Sequence, residues 1–143
     1  MGAAVRSRSG KVYAGANLEN ASSGLSICAE AAALVRANSA GDLEIEAIAV
    51  VGFNFTDPNG ASRVVAPCGS CRQLIAEAAQ LANNDVRVLC CSGELSNIVV
   101  SRISELLPSA FGPENLGAKQ EWPALREQLR VRVAELTAVR KRL

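Results

Sequence analysis

The sequence predicts an α/β layered domain, with helices laid on a central sheet. Two observations carry this. The segments read in the order β-β-α-β-α-β, and the strands at residues 45–52 and 86–91 are largely apolar runs rich in β-branched residues, the pattern of buried strands. The intervening helical segments, residues 26–38 and 71–81, contain neither Gly nor Pro.

In chain order, residues 2–7 and 11–17 read as two strands joined by Arg8-Ser9-Gly10-Lys11, with Val12 and Tyr13 supporting the second. Residues 17–24 are polar and loop-like. The helix at 26–38 ends at Ala40-Gly41. After the strand at 45–52, Asp57-Pro58-Asn59-Gly60 is a turn. Val64-Val65-Ala66 leads into Pro67-Cys68-Gly69-Ser70-Cys71-Arg72-Gln73. The next helix, 71–81, ends near Asn83-Asn84, and a short strand covers 86–91. A brief helical piece is expected at 101–106, before Pro108.

Residues 118–143 form a helical extension, distinct from a main domain at 1–117. In it Trp122, Leu125, Leu129, Val133, Leu136 and Val139 make one apolar stripe at helical spacing. Pro123 suits a first turn. Glu121 and Glu127 lie early and Arg140, Lys141 and Arg142 late, complementing the helix dipole. This helix is expected to pack on the domain or on a neighbouring subunit.

The totals narrow the classes. A chain of 143 residues builds one domain with one substantial core. A formal charge of +1 with 3% aromatic residues supplies neither the basic stripe nor the aromatic platform of a nucleic-acid binder. No apolar run approaches the ~20 residues of a membrane span. The first residues lack the apolar core of a secretory signal, and Arg6 breaks the myristoylation pattern. A cytoplasmic protein with no membrane partner is expected. Five cysteines, an odd number, argue against a disulfide framework. The complete lack of histidine excludes His-dependent nucleophiles and His-ligated metals.

Cys68 and Cys71 form a CxxC. Alone, that pattern fits a redox pair, half a structural zinc site, or two metal ligands awaiting a third. Cys28 decides, as the third thiolate. Each of the three lies at a helix start, where partial positive charge and free N–H groups favour thiolate. Three ligands leave a tetrahedral Zn²⁺ one open position, the catalytic arrangement. Water there ionises near neutral pH, and Glu30, two residues after Cys28, is placed to act as general acid/base.

These residues resemble the zinc motifs of the small, all-cysteine class of cytidine deaminases. Gly15-Ala16-Asn17-Leu18-Glu19-Asn20-Ala21-Ser22 is similar to that family's G-x-N-x-E-N-A-S. Residues 106–116, Leu106 to Leu116, resemble its L-L-P-x-x-F-x-P-x-x-L. The resemblance covers roughly residues 1–117. It implies a three-layer αβα fold around a mixed sheet, one Zn²⁺ per chain on Cys28, Cys68 and Cys71, and Glu30 as the catalytic group. It further implies that Asn17 and Glu19 hold the ribose hydroxyls and that the Ala29 backbone meets the pyrimidine carbonyl. Phe111 would close the pocket of an adjacent subunit. The implied protein is a homotetramer of pyrimidine salvage that hydrolyses cytidine or deoxycytidine to uridine or deoxyuridine, releasing ammonia.

Three departures stand out. The chain begins inside the family's first strand, so an N-terminal helix and its base-stacking aromatic are missing from the sequence; the C-terminal helix is expected to take the vacant position. Ala31 replaces the family's Arg after the catalytic Glu, which resembles the related blasticidin-S deaminases. Arg72 is the expected substitute, offsetting the charge of three thiolates and a hydroxide. Cys90 and Cys91 match no motif and read as small buried thiols. Two alternatives remain: a deaminase of another aminated nucleoside or heterocycle, such as a blasticidin-S-like compound, or a non-catalytic zinc domain serving assembly. A fourth ligand from Cys90 or Cys91 would mark the latter.

Overall fold

Gly10, at φ +84°, reverses the chain between the first two strands, in a turn closed by the Ser7 N–H donating to Lys11 O at 3.0 Å. A computed structural model describes residues 1–53, 56, 57 and 59–140, with the side chains of 139 and 140 excepted. Pro58 of the expected turn, and Lys141, Arg142 and Leu143 of the expected helix end, lie outside the described residues, as do the side chains of Val139 and Arg140.

Among the described residues the elements are β1 (Gly2–Ser7), β2 (Val12–Ala16), α1 (Ala29–Ser39), β3 (Ile45–Val51), α2 (Gly69–Leu81), β4 (Arg87–Cys91), β5 (Ile98–Arg102), α3 (Ile103–Leu106) and α4 (Trp122–Arg140), with a 3-10 turn at Ser23–Leu25. The strands form one five-stranded sheet in the order β2-β1-β3-β4-β5. Only β3 and β4 run parallel. A parallel pair needs a crossover, which the 52–68 loop and α2 supply.

The register explains the core. Val5, Ile48 and Val88 are paired across three strands, as are Ala3, Val50 and Cys90. All six are buried beneath α1 and α2, against Ala29, Ala33, Ala37, Ile75 and Ala79. Alanines on the helix faces let the helices lie close to the branched strand residues. Alternation sends Ala4, Ala49 and Leu89 to the outer face. There Ala4, Arg6, Val12, Ala47, Arg87 and Leu89 line a groove of about 300 Å³ built by strand residues.

The α/β class and mixed sheet are as expected. One strand was not: β5 occupies Ile98–Arg102, where only a helical piece from residue 101 was expected, and the helix is confined to Ile103–Leu106. β5 is an edge strand exposed on both faces, with Ile98, Val99 and Val100 each more than half exposed. It carries no apolar–polar alternation, so only its β-branched run could have signalled it.

Along α4 the stripe is half-buried on its own domain only at Trp122: Leu125, Leu129, Val133 and Leu136 are about half exposed, at 47%, 51%, 54% and 56%. α4 does not contribute to the groove on the outer sheet face. Its anchor is an ion pair from Arg126 to Glu44, just before β3.

Candidate metal centre and active site

Cys28 and Cys68 are the capping residues of α1 and α2, both extended, at ψ 150° and 168°. Cys71 lies in the first turn of α2. The two helix starts converge, so that the Cys28 and Cys68 sulfurs are 3.9 Å apart and all three lie within 4.8 Å of one another. Zn–S bonds of about 2.3 Å in a tetrahedron put sulfurs roughly 3.8 Å apart. The donor set therefore fits Zn²⁺. Among the described residues no fourth Cys, Asp or Glu joins the group. Cys90 and Cys91 are buried at the end of β4, as expected for small thiols, and stand outside it.

The three thiols are not equivalent. Burial pushes Cys28 and Cys71 up, Cys71 the more strongly. Cys68 is held below its ordinary value, chiefly by the Cys71 backbone N–H, which outweighs burial. That N–H belongs to the first helical turn, which has no intrahelical acceptor for it.

Glu30 follows in the first turn of α1 and is 1% exposed. Its Oε2 is buried without a hydrogen-bond partner. A buried unpaired carboxylate oxygen carries a desolvation penalty of about 1–3 kcal/mol or more.

Asn17 and Glu19 are brought to this turn by an antiparallel bridge between Leu18 and Ile27, the residue before Cys28. Asn17 Nδ2 donates to Glu19 Oε1 at 2.6 Å, so amide and carboxylate form one polar pair. Two residues earlier, Gly15 packs directly on α1. Ala29, with no exposed surface, opens the helix there.

Ala31 leaves the turn beside Glu30 without a cation. The guanidinium of Arg72 is engaged by backbone. Nε donates to Pro67 O at 2.9 Å and Nη1 to Leu106 O at 3.1 Å. It thus fixes the loop that carries Cys68. Its positive charge reaches Cys90 behind the site, where burial nonetheless raises the thiol.

Phe111 does not enter its own chain's site. It is 62% exposed, with its carbonyl held by Gln73 Nε2 at 2.7 Å. Gln73 and Gly15 had no role from the sequence beyond their letters in two motifs; only contacts across the fold reveal what they touch. A second groove, of about 490 Å³ between α2 and α3 and lined by Gln80, Asn83 and Ser104, holds none of the expected site residues.

On a mixed sheet, two helix starts bring three thiols together beside a buried carboxyl, a donor set suited to a zinc hydrolase, in which the three cysteines would hold the ion. The family described as "Cytidine and deoxycytidylate deaminase zinc-binding region" matches residues 1–84. The chain belongs to that family. It is 43% identical to a cytidine deaminase of Halalkalibacterium halodurans over 116 residues, covering 81% of this chain and 80% of the relative. It is 36% identical to a blasticidin-S deaminase of Bacillus cereus over 113 residues, 78% and 76% of the two chains. Among solved structures it is similar to a cytidine deaminase from Burkholderia pseudomallei, with a TM-score of 0.64 and 39% identity, over 77% of this chain and 80% of that one.

Proposed function

We propose that this protein hydrolytically deaminates cytidine or deoxycytidine, giving uridine or deoxyuridine and ammonia. The observation that carries this is the partnerless Oε2 of buried Glu30 beside three converging thiolates. Glu30 takes a proton from the attacking water and delivers it to the departing amine, a transfer worth about 10²–10⁴ in rate. Cys28, Cys68 and Cys71 hold zinc, which when bound supplies the Lewis acidity that makes water nucleophilic near neutral pH. Asn17 and Glu19 hold the ribose hydroxyls: a diol has donors for the carboxylate and acceptors for the amide. The first-turn N–H of Ala29 meets the pyrimidine carbonyl. Arg72 compensates thiolate charge from behind the loop.

Residues 1–117 form the catalytic domain and 118–143 an appended helix. The exposed ring of Phe111 supports its closing the pocket of an adjacent copy, within a homotetramer. The exposed stripe of α4 supports its packing on a neighbouring subunit. A cytoplasmic location and a place in pyrimidine salvage accompany this reading. Among the described residues no helix is long and apolar enough to cross a membrane.

A second substrate reading follows from Ala31 and the blasticidin-S deaminase relative: an aminated pyrimidine antibiotic of that kind. The test is turnover of cytidine, deoxycytidine and blasticidin S by purified protein with zinc quantified, alongside Glu30→Gln. Expected is one zinc per chain in both proteins, turnover of a cytosine nucleoside by the wild type, and a loss of about 10²–10⁴-fold in the variant. Zinc-loaded protein that turns over blasticidin S alone would replace the substrate. Zinc-loaded protein inert toward all three would overturn the substrate reading and leave another aminated heterocycle or the assembly-domain alternative.

A further inference from the structure

Phe111 is exposed, yet the backbone around it is fixed from both sides by one face of α2. Gln73 Nε2 donates to Phe111 O at 2.7 Å. One residue earlier, Gln80 Nε2 donates to Ala110 O at 3.4 Å, and three residues later Gln80 Oε1 accepts the Glu114 N–H at 3.3 Å. Gln73 and Gln80 are seven residues apart, two turns, and so share a helix face. Gly112 lies so close to Gln80 that a Cβ there would overlap its Oε1, and the Gly112 N–H donates to Asn115 Oδ1 at 2.9 Å. Upstream, Ser109 enters the segment at φ +55°, the left-handed region.

A solvent-facing aromatic has no packing reason to sit on so constrained a backbone. Holding it this way makes sense when the direction of the ring matters. We propose that Gln73 is a positioning residue for the deaminase. Through the Phe111 carbonyl it sets the angle at which the Phe111 ring is presented to the active site of a second copy, with Gln80 steadying the flanking residues. This rests on the reading that Phe111 closes a neighbour's pocket. Gln73 follows Cys71 by two residues on the same helix. One rigid element therefore carries metal ligands for one site and aims the closing ring of another.

The test begins with Gln73→Glu, which keeps the shape but at neutral pH has no proton to donate, and Gln73→Lys, which restores a donor of sufficient reach. Expected is a rise in KM for the nucleoside of about 5- to 10-fold in the Glu variant, the loss of one positioned hydrogen bond. kcat, zinc content and oligomeric state should hold, and Lys should recover much of the KM. Phe111→Ala, measured in parallel, tests the underlying reading: an unchanged KM there sinks the pocket-closing role itself. A raised KM in Phe111→Ala with an unchanged KM in Gln73→Glu overturns the Gln73 proposal alone. Zinc loss or dissociation in both Gln73 variants also overturns it, since the residue would then be structural. Finally, oligomers assembled from Glu30→Gln and Gln73→Glu chains should contain sites with the wild-type KM. In these, an intact Glu30 is closed by a correctly aimed Phe111 from the other chain. Mixed oligomers showing only the raised KM would rule out action on a second copy.

Discussion

Gly15 of β2 and Ala29 of α1 touch backbone to backbone: a Cβ on Gly15 would stand 2.7 Å from the Ala29 carbonyl oxygen and 2.5 Å from the Ala33 nitrogen. No side chain fits. The contact lets the strand that leads into Asn17 lie directly over the helix turn that carries Glu30. Gly15→Ala must therefore separate strand and helix. The expected cost is about 1–3 kcal/mol from overpacking. Chemical denaturation should show it, and kcat/KM should fall in the fraction that remains folded, because Asn17 moves with the strand. A variant with wild-type stability and activity would contradict the close approach.

The metal centre makes its own prediction. Cys71 is the buried member of the cysteine triad, and Cys71→Ala leaves two of the three sulfurs. Zinc per chain should drop to near zero, and activity with it. Stripping zinc from the wild type with a chelator should abolish activity and lower the melting temperature, because metal bound only by the folded state stabilises it. Zinc re-addition should restore both.

Asp42 ties the β1–β2 turn to the start of the β3 segment. Its Oδ2 accepts from Ser7 Oγ at 2.8 Å, Ser9 Oγ at 2.6 Å and Tyr13 OH at 2.9 Å. Burial works to raise its pKa, but the Ser9, Ser7 and Tyr13 hydroxyls together bring it below the ordinary carboxylate value. A depressed folded pKa means that the ionised group stabilises the fold above its unfolded pKa of about 3.9. That contribution disappears as pH falls through the folded value. Urea denaturation between pH 6 and 3 should show declining stability, with a shallower slope for Asp42→Asn. At pH 7 the variant should be less stable by about 1–3 kcal/mol.

α4 is held by Glu44 and Arg126, and the Arg126 hydrogen bond keeps the Glu44 carboxyl below its ordinary range against the effect of burial. By the same sign rule, the anchor is present above about pH 4.3 and is lost in more acidic solution. Trp122, the sole tryptophan, lies one turn before Arg126 and is half-buried, so its emission reports the docking. It should shift red on acidification, and should be shifted already at pH 7 in Arg126→Met.

The exposed stripe of α4 yields a further outcome. A chain ending before Glu121 should lose solubility or assembly, read by light scattering during size-exclusion chromatography. If the shortened protein stays folded and keeps its oligomeric state, α4 is no part of the assembly.

Much of the site was legible because it is written in short spacings. Pro67-Cys68-Gly69-Ser70-Cys71 and Cys28-Ala29-Glu30 each combine ligands with a helix start, and a helix start has the same electrostatics wherever it occurs. The strand at Ile45–Val51 was legible for a similar reason: a β-branched apolar run has few other uses. β5 was missed because an edge strand exposed on both faces has no periodic signature. The α4 stripe announced a helix but not its partner. Amphipathicity specifies that a face wants cover, not what covers it.

The sequence by itself determined the α/β class and the absence of histidine chemistry, and it singled out the three cysteines and Glu30 that the fold brings together, since each depends on residue type and local spacing. Only the tertiary structure decided which distant groups meet. It placed Gly15 against Ala29, left Glu30 Oε2 without a partner, turned the Arg72 guanidinium onto the carbonyls of Pro67 and Leu106, and hung Phe111 outward from Gln73. These are contacts between segments many residues apart. The packing of helices on the sheet sets them, and no local pattern encodes them.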